Sequence, residues 1–183
     1  MKKVIAAFNM TLDGVCDHTT GIASEELHQH YSDLLNNAGV ILYGRTTYQL
    51  MQFWQTLLQN PSGTPSMDHF AISIDKIQKL VFSKTLLETG WQSAELAKRS
   101  LDEEVLELKQ KSVGNILVGS RSLIIQLLNN NLIDEFQICI HPIIEGKGLP
   151  LFDQIKGRIA LKLIKTKLLD SGAAVFYYEP TRN

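Results

Sequence analysis

Three short stretches of this sequence combine hydroxyl side chains with a cation, each directly after an apolar run. They are Gly44-Arg45-Thr46-Thr47, Ser83-Lys84-Thr85 and Gly119-Ser120-Arg121-Ser122. Hydroxyls, cations and the free N–H groups at a helix start all bind phosphate oxygens, and glycine lets a ligand approach the backbone closely. These stretches therefore predict the binding of a ligand that carries several phosphate groups.

A dinucleotide is such a ligand, since it has a pyrophosphate and, in the NADP form, a further 2′-phosphate. The G-x-G-x-x-G fingerprint is absent, because Gly119 is the only glycine of its stretch. Serine also begins many helices for reasons unrelated to ligands, so one stretch alone carries little weight. Three together favour a dinucleotide, and the lack of an acidic residue directly at these ends favours NADP over NAD.

The apolar runs before these stretches supply the strands that must position them. Buried strands are predicted at residues 4–8, 40–43, 80–82 and 116–118. Helical patterns are found at about residues 24–37, 46–59, 66–76, 100–108 and 123–128. Such alternation indicates a largely parallel sheet covered on both faces, and open sheets of this kind bind ligands beyond the carboxyl ends of their strands.

Polar residues mark three of the predicted helix starts. Ser24 is a predicted N-cap, followed by two glutamates that favour the positive end of the helix dipole. Thr46 with Gln49, and Ser100 with Glu103, fit the capping-box pattern.

The last third of the chain has a different pattern. Apolar and polar residues alternate over 136–141, and strands at 161–169 and 174–178 flank a Ser171-Gly172 turn, which is typical of an antiparallel hairpin. The predicted fold is therefore α/β, with a mixed, mostly parallel central sheet, helices on both faces and a C-terminal antiparallel hairpin.

Composition limits the class of protein further. The 183 residues suit one domain over 1–183, and 44% hydrophobic with 20% charged residues is ordinary for a soluble globular protein. A net charge of −1 gives no basic excess for nucleic acid or an anionic membrane, and no apolar run reaches the roughly 18 residues of a membrane helix. Cys16 and Cys139 form no CxxC pair, so we expect a reducing cytoplasm.

Further motifs join these stretches in a specific order along most of the chain. They are Ala6-Ala7, Thr11-Leu12-Asp13-Gly14, GRTTY at 44–48, VFSKTL at 81–86, ILVGS at 116–120, LIDE at 132–135 and HPIIEGKGLPLF at 141–152. This order resembles the dihydrofolate reductase-like family, in particular its branch related to the C-terminal reductase domain of the riboflavin biosynthesis protein RibD.

The resemblance implies a three-layer fold and an NADPH-dependent reductase of a small polar heterocyclic or sugar-like substrate. The reductases it resembles are 5-amino-6-(5-phosphoribosylamino)uracil reductase of riboflavin biosynthesis and dihydrofolate reductase. The resemblance assigns the pyrophosphate to Gly44, Arg45, Thr46, Gly119, Ser120, Arg121, Ser122 and Leu123. It assigns the 2′-phosphate to Ser83, Lys84 and Thr85, and the nicotinamide to Ala7 and Gly14, with Asp13 as the catalytic candidate. We expect a homodimer.

The chain also departs from the family pattern. Gly119-Ser120 stands where two adjacent glycines are frequent, and Ser120 is expected to cap the following helix. Residues 16–27, CDHTTGIASEEL, lack the W-x-L-P-x-D/E segment that supplies the pterin-binding acid of dihydrofolate reductases. The alternative function is therefore a nucleotide-binding module of the same fold without turnover.

Other ionisable residues have structural explanations. Glu25 and Glu26 fit a first helical turn, and His28 fits an exposed helix position. The paired carboxylates Asp134 and Glu135 stand at the start of a strand, which favours a structural role over catalysis. No HExxH pattern or convincing metal cluster occurs, so no metal is predicted.

Overall fold

The computed structural model describes residues 2–111 and 114–181, and these residues form a mixed sheet with helices on both faces. The strands are β1 (Val4–Thr11), β2 (Ala38–Gly44), β3 (Gln78–Phe82), β4 (Ala94–Leu96), β5 (Asn115–Val118), β6 (Glu135–His141), β7 (Leu161–Leu168) and β8 (Ala174–Pro180). The helices are α1 (Glu25–Asn36), α2 (Arg45–Met51), α3 (Phe53–Gln59), α4 (Pro65–Lys76), α5 (Leu101–Gln110) and α6 (Arg121–Asn129).

The strand order across the sheet is β4-β3-β2-β5-β1-β6-β8-β7. The strands from β4 to β6 run parallel to one another, whereas β8 runs antiparallel to β6 and β7 antiparallel to β8. This arrangement confirms the predicted α/β fold with a C-terminal antiparallel hairpin.

Two apolar layers hold the sheet between the helices. Ala6 and Val118 point to a core completed by α5 and α6, while Ile5 and Leu117 point to the opposite core, completed by α1 and α4. Strands that are buried on both faces need apolar residues at successive positions, which explains the continuous apolar runs in the sequence.

The predicted caps were partly correct. The hydroxyl of Ser24 accepts a hydrogen bond from the Leu27 N–H, and Ser100 with Glu103 forms a complete capping box. The Thr46–Gln49 capping box was wrong, because the N-cap residue of α2 is Gly44, two residues earlier, and no side chain caps the helix. The single helix predicted over 46–59 is also divided at Gln52 into α2 and α3.

Strand β4 was not predicted, because its three residues offer too short a pattern. Within residues 2–111 and 114–181, no helix is long and apolar enough to cross a membrane.

Candidate functional site

Strands β3, β2 and β5 are neighbours in the sheet and run parallel, so their carboxyl ends lie side by side. The three stretches singled out in the sequence follow these three strands directly. The structure therefore brings Ser83-Lys84-Thr85, Gly44-Arg45-Thr46-Thr47 and Gly119-Ser120-Arg121-Ser122 to one edge of the sheet, as predicted.

The chain diverges at this edge between β2 and β5. From β2 it passes through α2 towards β3, and from β5 it passes through α6 towards β6, which lies on the other side. Helices α2 and α6 pack on opposite faces of the sheet, through Tyr48 and Ile124 respectively. Open α/β sheets bind ligands in the crevice at such a point.

A hydrogen bond between backbone and side chain joins the two turns of this crevice. The Gly44 N–H donates to Ser120 Oγ at 2.8 Å, and Ser120 is only 1% exposed. Although Ser120 stands at the N-cap position of α6, its side chain makes no hydrogen bond to that helix. The prediction that Ser120 caps α6 was therefore wrong. Its hydroxyl instead fixes the distance between the two turns from within the protein.

The two glycines of these turns have different surroundings. A Cβ atom on Gly44 would lie 3.5 Å from Ser122 Oγ and 3.7 Å from Ser120 Oγ, so the two hydroxyls converge on this glycine. A Cβ atom on Gly119 would lie 2.7 Å from Cε1 of Tyr43. Close packing of an aromatic ring thus accounts for Gly119, where the sequence suggested only space for a ligand.

The cations of the three stretches are not equally available. Arg45 Nη1 donates to Thr85 Oγ1 at 2.6 Å, which links the β2 and β3 ends. Arg121 donates from Nε to the Pro150 carbonyl at 2.7 Å and forms an ion pair with Asp153. The predicted contact of the Arg121 guanidinium with phosphate is not supported by this geometry, since Arg121 holds the segment around Pro150 against α6.

The β3 end retains groups that can bind an anion. Lys84 is exposed and has no side-chain partner within the described part of the chain. Ser83 Oγ accepts from the N–H groups of Thr85 at 3.2 Å and Leu86 at 2.9 Å, which shapes the turn and leaves the hydroxyl proton free to donate. The Arg45 guanidinium lies beside this turn.

The other end of the candidate site lies along β1. Ala6 pairs with Val118, the last residue of β5, so Ala7 begins the part of β1 that extends beyond β5. The Leu123 side chain is buried in the core on the α6 side of the sheet, and its backbone belongs to the first turn of α6. Gly14 lies in the turn after β1 with φ +85°, a conformation that side chains disfavour.

Asp13 has a well-defined structural role. Its carboxylate accepts from Thr11 Oγ1 at 2.5 Å, from the Gly146 N–H at 2.7 Å and from the Glu145 N–H at 3.2 Å. The hydrogen bond from Thr11, followed by those from Gly146 and Glu145, lowers the pKa of Asp13 to about 2. A carboxylate that remains ionised cannot donate a proton at neutral pH, so this geometry does not support Asp13 as a proton donor, and its place at the site stays a prediction.

Asp17 binds the same loop, and the sequence did not single it out. Its Oδ2 accepts from the Leu149 N–H at 2.8 Å, and a Cβ on Gly148 would lie 2.5 Å from that oxygen. Two carboxylates after β1 thus hold the EGKGLP turn, which gives the long motif at 141–152 a structural reason. The glycine at 148 was the available signal, because it marks a close approach.

A further set of polar residues lies on α1, β1 and β6. Tyr31 donates its hydroxyl proton to Asn9 Oδ1 at 2.9 Å. On β6, Cys139 Sγ lies 3.8 Å from Nε2 of His141, whose Nδ1 accepts from the Ile22 N–H at 3.1 Å. None of these residues was predicted to belong to the site, because an isolated Asn, Tyr or Cys carries no pattern.

The remaining ionisable candidates have structural contacts. Glu26 accepts from the Asp170 N–H at 2.6 Å, and Glu25 is exposed. His28 is half-buried against Trp54 and Phe70, so its predicted exposed position was wrong.

The paired carboxylates before β6 have the structural role that the sequence favoured. Asp134 accepts from the Val4 N–H and pairs with Lys109, while Glu135 pairs with Lys3. Across residues 2–111 and 114–181, no cluster of His, Cys, Asp or Glu could hold a metal ion.

Comparison with known proteins identifies relatives of the whole chain. The RibD C-terminal domain family matches residues 2–175. The uncharacterised protein YyaP of Bacillus subtilis (strain 168) is 33% identical over 181 residues, which cover 97% of this chain and 94% of YyaP.

Two solved structures show a similar fold. A putative riboflavin biosynthesis protein from Shewanella sp. PV-4 has a TM-score of 0.69 at 19% identity, covering 98% of this chain and 99% of that one. Dihydrofolate reductase from Enterococcus faecalis, solved with NADP(H), has a TM-score of 0.66 at 12% identity, covering 98% and 97%. These likenesses confirm the predicted dihydrofolate reductase-like fold.

Proposed function

Since this chain belongs to the RibD C-terminal domain family, we propose that it is an NADPH-dependent reductase that transfers a hydride to a small polar heterocyclic or sugar-like substrate. The observation that supports this proposal most strongly is the adjacency of the three polar strand ends at β3, β2 and β5. One extended ligand with separate phosphate groups can contact all three, whereas a single phosphate cannot.

In this proposal, different residues along this edge of the sheet bind different parts of the cofactor. Lys84, with Arg45 and the hydroxyls of Ser83 and Thr85, meets the 2′-phosphate at the β3 end. The free N–H groups of the first turn of α6 and the exposed Ser122 hydroxyl meet the pyrophosphate, and the helix dipole favours its negative charge. Ala7 and Gly14 lie on the nicotinamide side, where NADPH supplies the hydride when it is bound.

Binding of the two cofactors tests this proposal directly. We expect NADPH to quench tryptophan fluorescence at lower concentration than NADH, because only NADPH carries the 2′-phosphate. Lack of NADPH binding, or a preference for NADH, would refute the cofactor assignment.

The variant Lys84→Ala locates the 2′-phosphate. Removal of one charge-assisted contact costs about 1.5–3 kcal/mol, so NADPH affinity should fall roughly tenfold or more while NADH affinity changes little. Lys162→Ala is the matched control, because Lys162 is an exposed lysine on β7 at the far edge of the sheet. An equal loss for both cofactors in Lys84→Ala would place the 2′-phosphate elsewhere.

A second candidate function is a nucleotide-binding module of the same fold without turnover. The observation that favours it is Asp13, whose carboxylate accepts three hydrogen bonds from the protein and has a pKa lowered to about 2, so that it is no proton donor. NADPH that binds but is never oxidised with pyrimidine and pteridine compounds would support this alternative. In either case we place the protein in the cytoplasm, where its buried free thiols Cys16 and Cys139 stay reduced.

A further inference from the structure

The segment of residues 83–93 joins β3 to β4 and carries the side chains proposed above to meet the 2′-phosphate. It contains no helix or strand, and Lys84, Thr85 and Leu87 are exposed, Leu87 by 94%. An exposed connection of this kind is mobile unless side chains of the protein bind it. The contacts beneath the segment therefore determine where Lys84 stands.

A buried lysine binds the far end of this segment. Lys79 on β3 is fully buried, and its ammonium donates to Ser93 Oγ at 2.7 Å. The same ammonium donates to the carbonyls of Ile77 at 2.9 Å and Asp75 at 3.3 Å, at the C-terminal end of α4, where the helix dipole favours a cation. An ammonium has three N–H donors, so Lys79 has none left for a ligand.

Trp91 and Asp75 complete a closed network with this lysine. The Trp91 ring is 3% exposed, and its centroid lies 4.1 Å from Lys79 Nζ in a cation–π contact. Trp91 Nε1 donates to Asp75 Oδ1 at 2.7 Å, and Ser93 Oγ donates to the Asp75 carbonyl at 2.6 Å. We call Asp75, Lys79, Trp91 and Ser93 the anchor.

Two further contacts bind the segment to α2. The hydroxyl of Tyr48, which is fully buried, donates to the Thr89 carbonyl at 2.5 Å. Arg45 Nη1 donates to Thr85 Oγ1 from an exposed position. Tyr48 and the anchor lie inside the protein, where a broken hydrogen bond is costly, so they fix the segment more firmly than the exposed arginine does.

We propose that Lys79 is a positioning residue for cofactor selectivity, which fixes Ser93 and Trp91 so that the 83–93 segment presents Lys84 to the 2′-phosphate of NADPH. This inference rests on the proposed reductase function. Because Lys79 is buried and all three of its donors are used, it acts on the cofactor only through the segment. NADH lacks the 2′-phosphate, so its binding depends much less on the anchor.

The variant Lys79→Met removes the ammonium and keeps a long side chain. By isothermal titration calorimetry, we expect NADPH affinity to fall about fivefold more than NADH affinity, which is typical of coupled neighbours. Lys76→Met is the matched control, because Lys76 is an exposed lysine in the last turn of α4, and it should leave the ratio of the two affinities unchanged. An equal loss for both cofactors in Lys79→Met would indicate general damage to the fold and would overturn the proposal.

A double-mutant cycle with Lys84→Ala separates positioning from packing. If Lys79 acts through Lys84, most of the effect of Lys79→Met on the NADPH-to-NADH affinity ratio should disappear once Lys84 is replaced. Fully additive effects of the two substitutions would contradict this.

Ser93→Ala is the milder variant and tests the proposal even if Lys79→Met does not fold. It removes one hydroxyl from the anchor and no charge, and it should shift the affinity ratio in the same direction by about twofold. An unchanged ratio in Ser93→Ala with a native circular dichroism spectrum would overturn the proposal. Failure of the wild type to bind NADPH would instead refute the proposed reductase function, and an equal loss of both cofactors in Lys84→Ala would refute the 2′-phosphate assignment.

Discussion

The ring of Tyr43 occupies the space that a side chain at Gly119 would need, because Cε1 of Tyr43 lies 2.7 Å from where a Cβ atom on Gly119 would stand. The backbone of Gly119 is not in the left-handed region, so sterics alone demand the glycine. The sequence could show that a glycine follows β5, but it could not show that the reason comes from a neighbouring strand.

The variant Gly119→Ala tests this explanation. Forcing the ring of Tyr43 to move should lower the free energy of unfolding by about 1–3 kcal/mol. In a Tyr43→Leu background the penalty should shrink, since the smaller side chain leaves room for the new methyl group. Gly157→Ala is the control, because a Cβ there meets nothing within 4 Å. Chemical denaturation of the wild type, the three single variants and the Gly119→Ala/Tyr43→Leu double variant would measure the effect, and an equal penalty in both backgrounds would contradict it.

Ser120 and Arg121 show the limit of prediction from local pattern. Ser120 bonds to Gly44, 76 residues away, and Arg121 to Asp153, 32 residues away. Residue types at a strand end predict that phosphate chemistry is possible. Which of those residues remain free depends on contacts that only the folded chain creates.

At the scale of elements, helix starts were predictable where the signal is local. The caps at Ser24 and Ser100 depend on residues within three positions, so the sequence contains the whole interaction. At Thr46 the same pattern failed, because β2 ends at Gly44 and α2 follows it directly, so that Gly44 and not Thr46 is the N-cap residue.

Helix α1 carries a buried ionisable group that should make stability depend on pH. His30 packs against the rings of Tyr31 and Tyr177, and burial lowers its pKa from 6.5 to about 4. The nearby Lys167 and Lys165 also lower the pKa, while Asp33 raises it. Between these two pH values the unfolded chain binds the proton more readily than the folded chain.

The contribution of neutral, buried His30 to the free energy of unfolding is therefore complete above about pH 6.5. It is lost as the pH falls towards 4, which lowers the free energy of unfolding by on the order of 3 kcal/mol. Burial lowers the pKa values of His28 and His141 as well, which acts in the same direction. His30→Phe keeps an aromatic ring and should flatten the decline of unfolding free energy with falling pH. The exposed His69 provides the control His69→Gln, and an unchanged slope in His30→Phe would refute this assignment.

At the scale of the molecule, the alternation of strands and helices predicted the parallel part of the sheet, and the Ser171-Gly172 turn predicted its hairpin. The sequence did not contain the strand order itself. That order decides which strand ends lie side by side. It places β5 between β2 and β1, although both of these strands are far from β5 in the sequence.

Edge strand β7 leaves an apolar surface uncovered. Leu163 and Leu168 pair with Tyr178 and Ala174, and residues paired across a sheet share a face. Leu163 is 49% exposed and Leu168 78% exposed, and exposed apolar patches of this kind mark interaction sites. The lysines of β7 point to the opposite face, so the apolar face carries no charge and is complementary to a copy of itself.

We therefore expect a homodimer in which two β7–β8 faces pack together, because isologous dimers are the commonest assembly. Edge-to-edge pairing is disfavoured by the lysines and by the irregular register between Leu163 and Lys165. Light scattering after size exclusion should give a dimeric mass for the wild type and a monomeric mass for Leu163→Asp/Leu168→Asp. The control Lys162→Gln/Lys167→Gln changes the net charge equally on the opposite face and should stay dimeric. A monomeric wild type, or a dimeric Asp variant with unchanged circular dichroism, would exclude this interface.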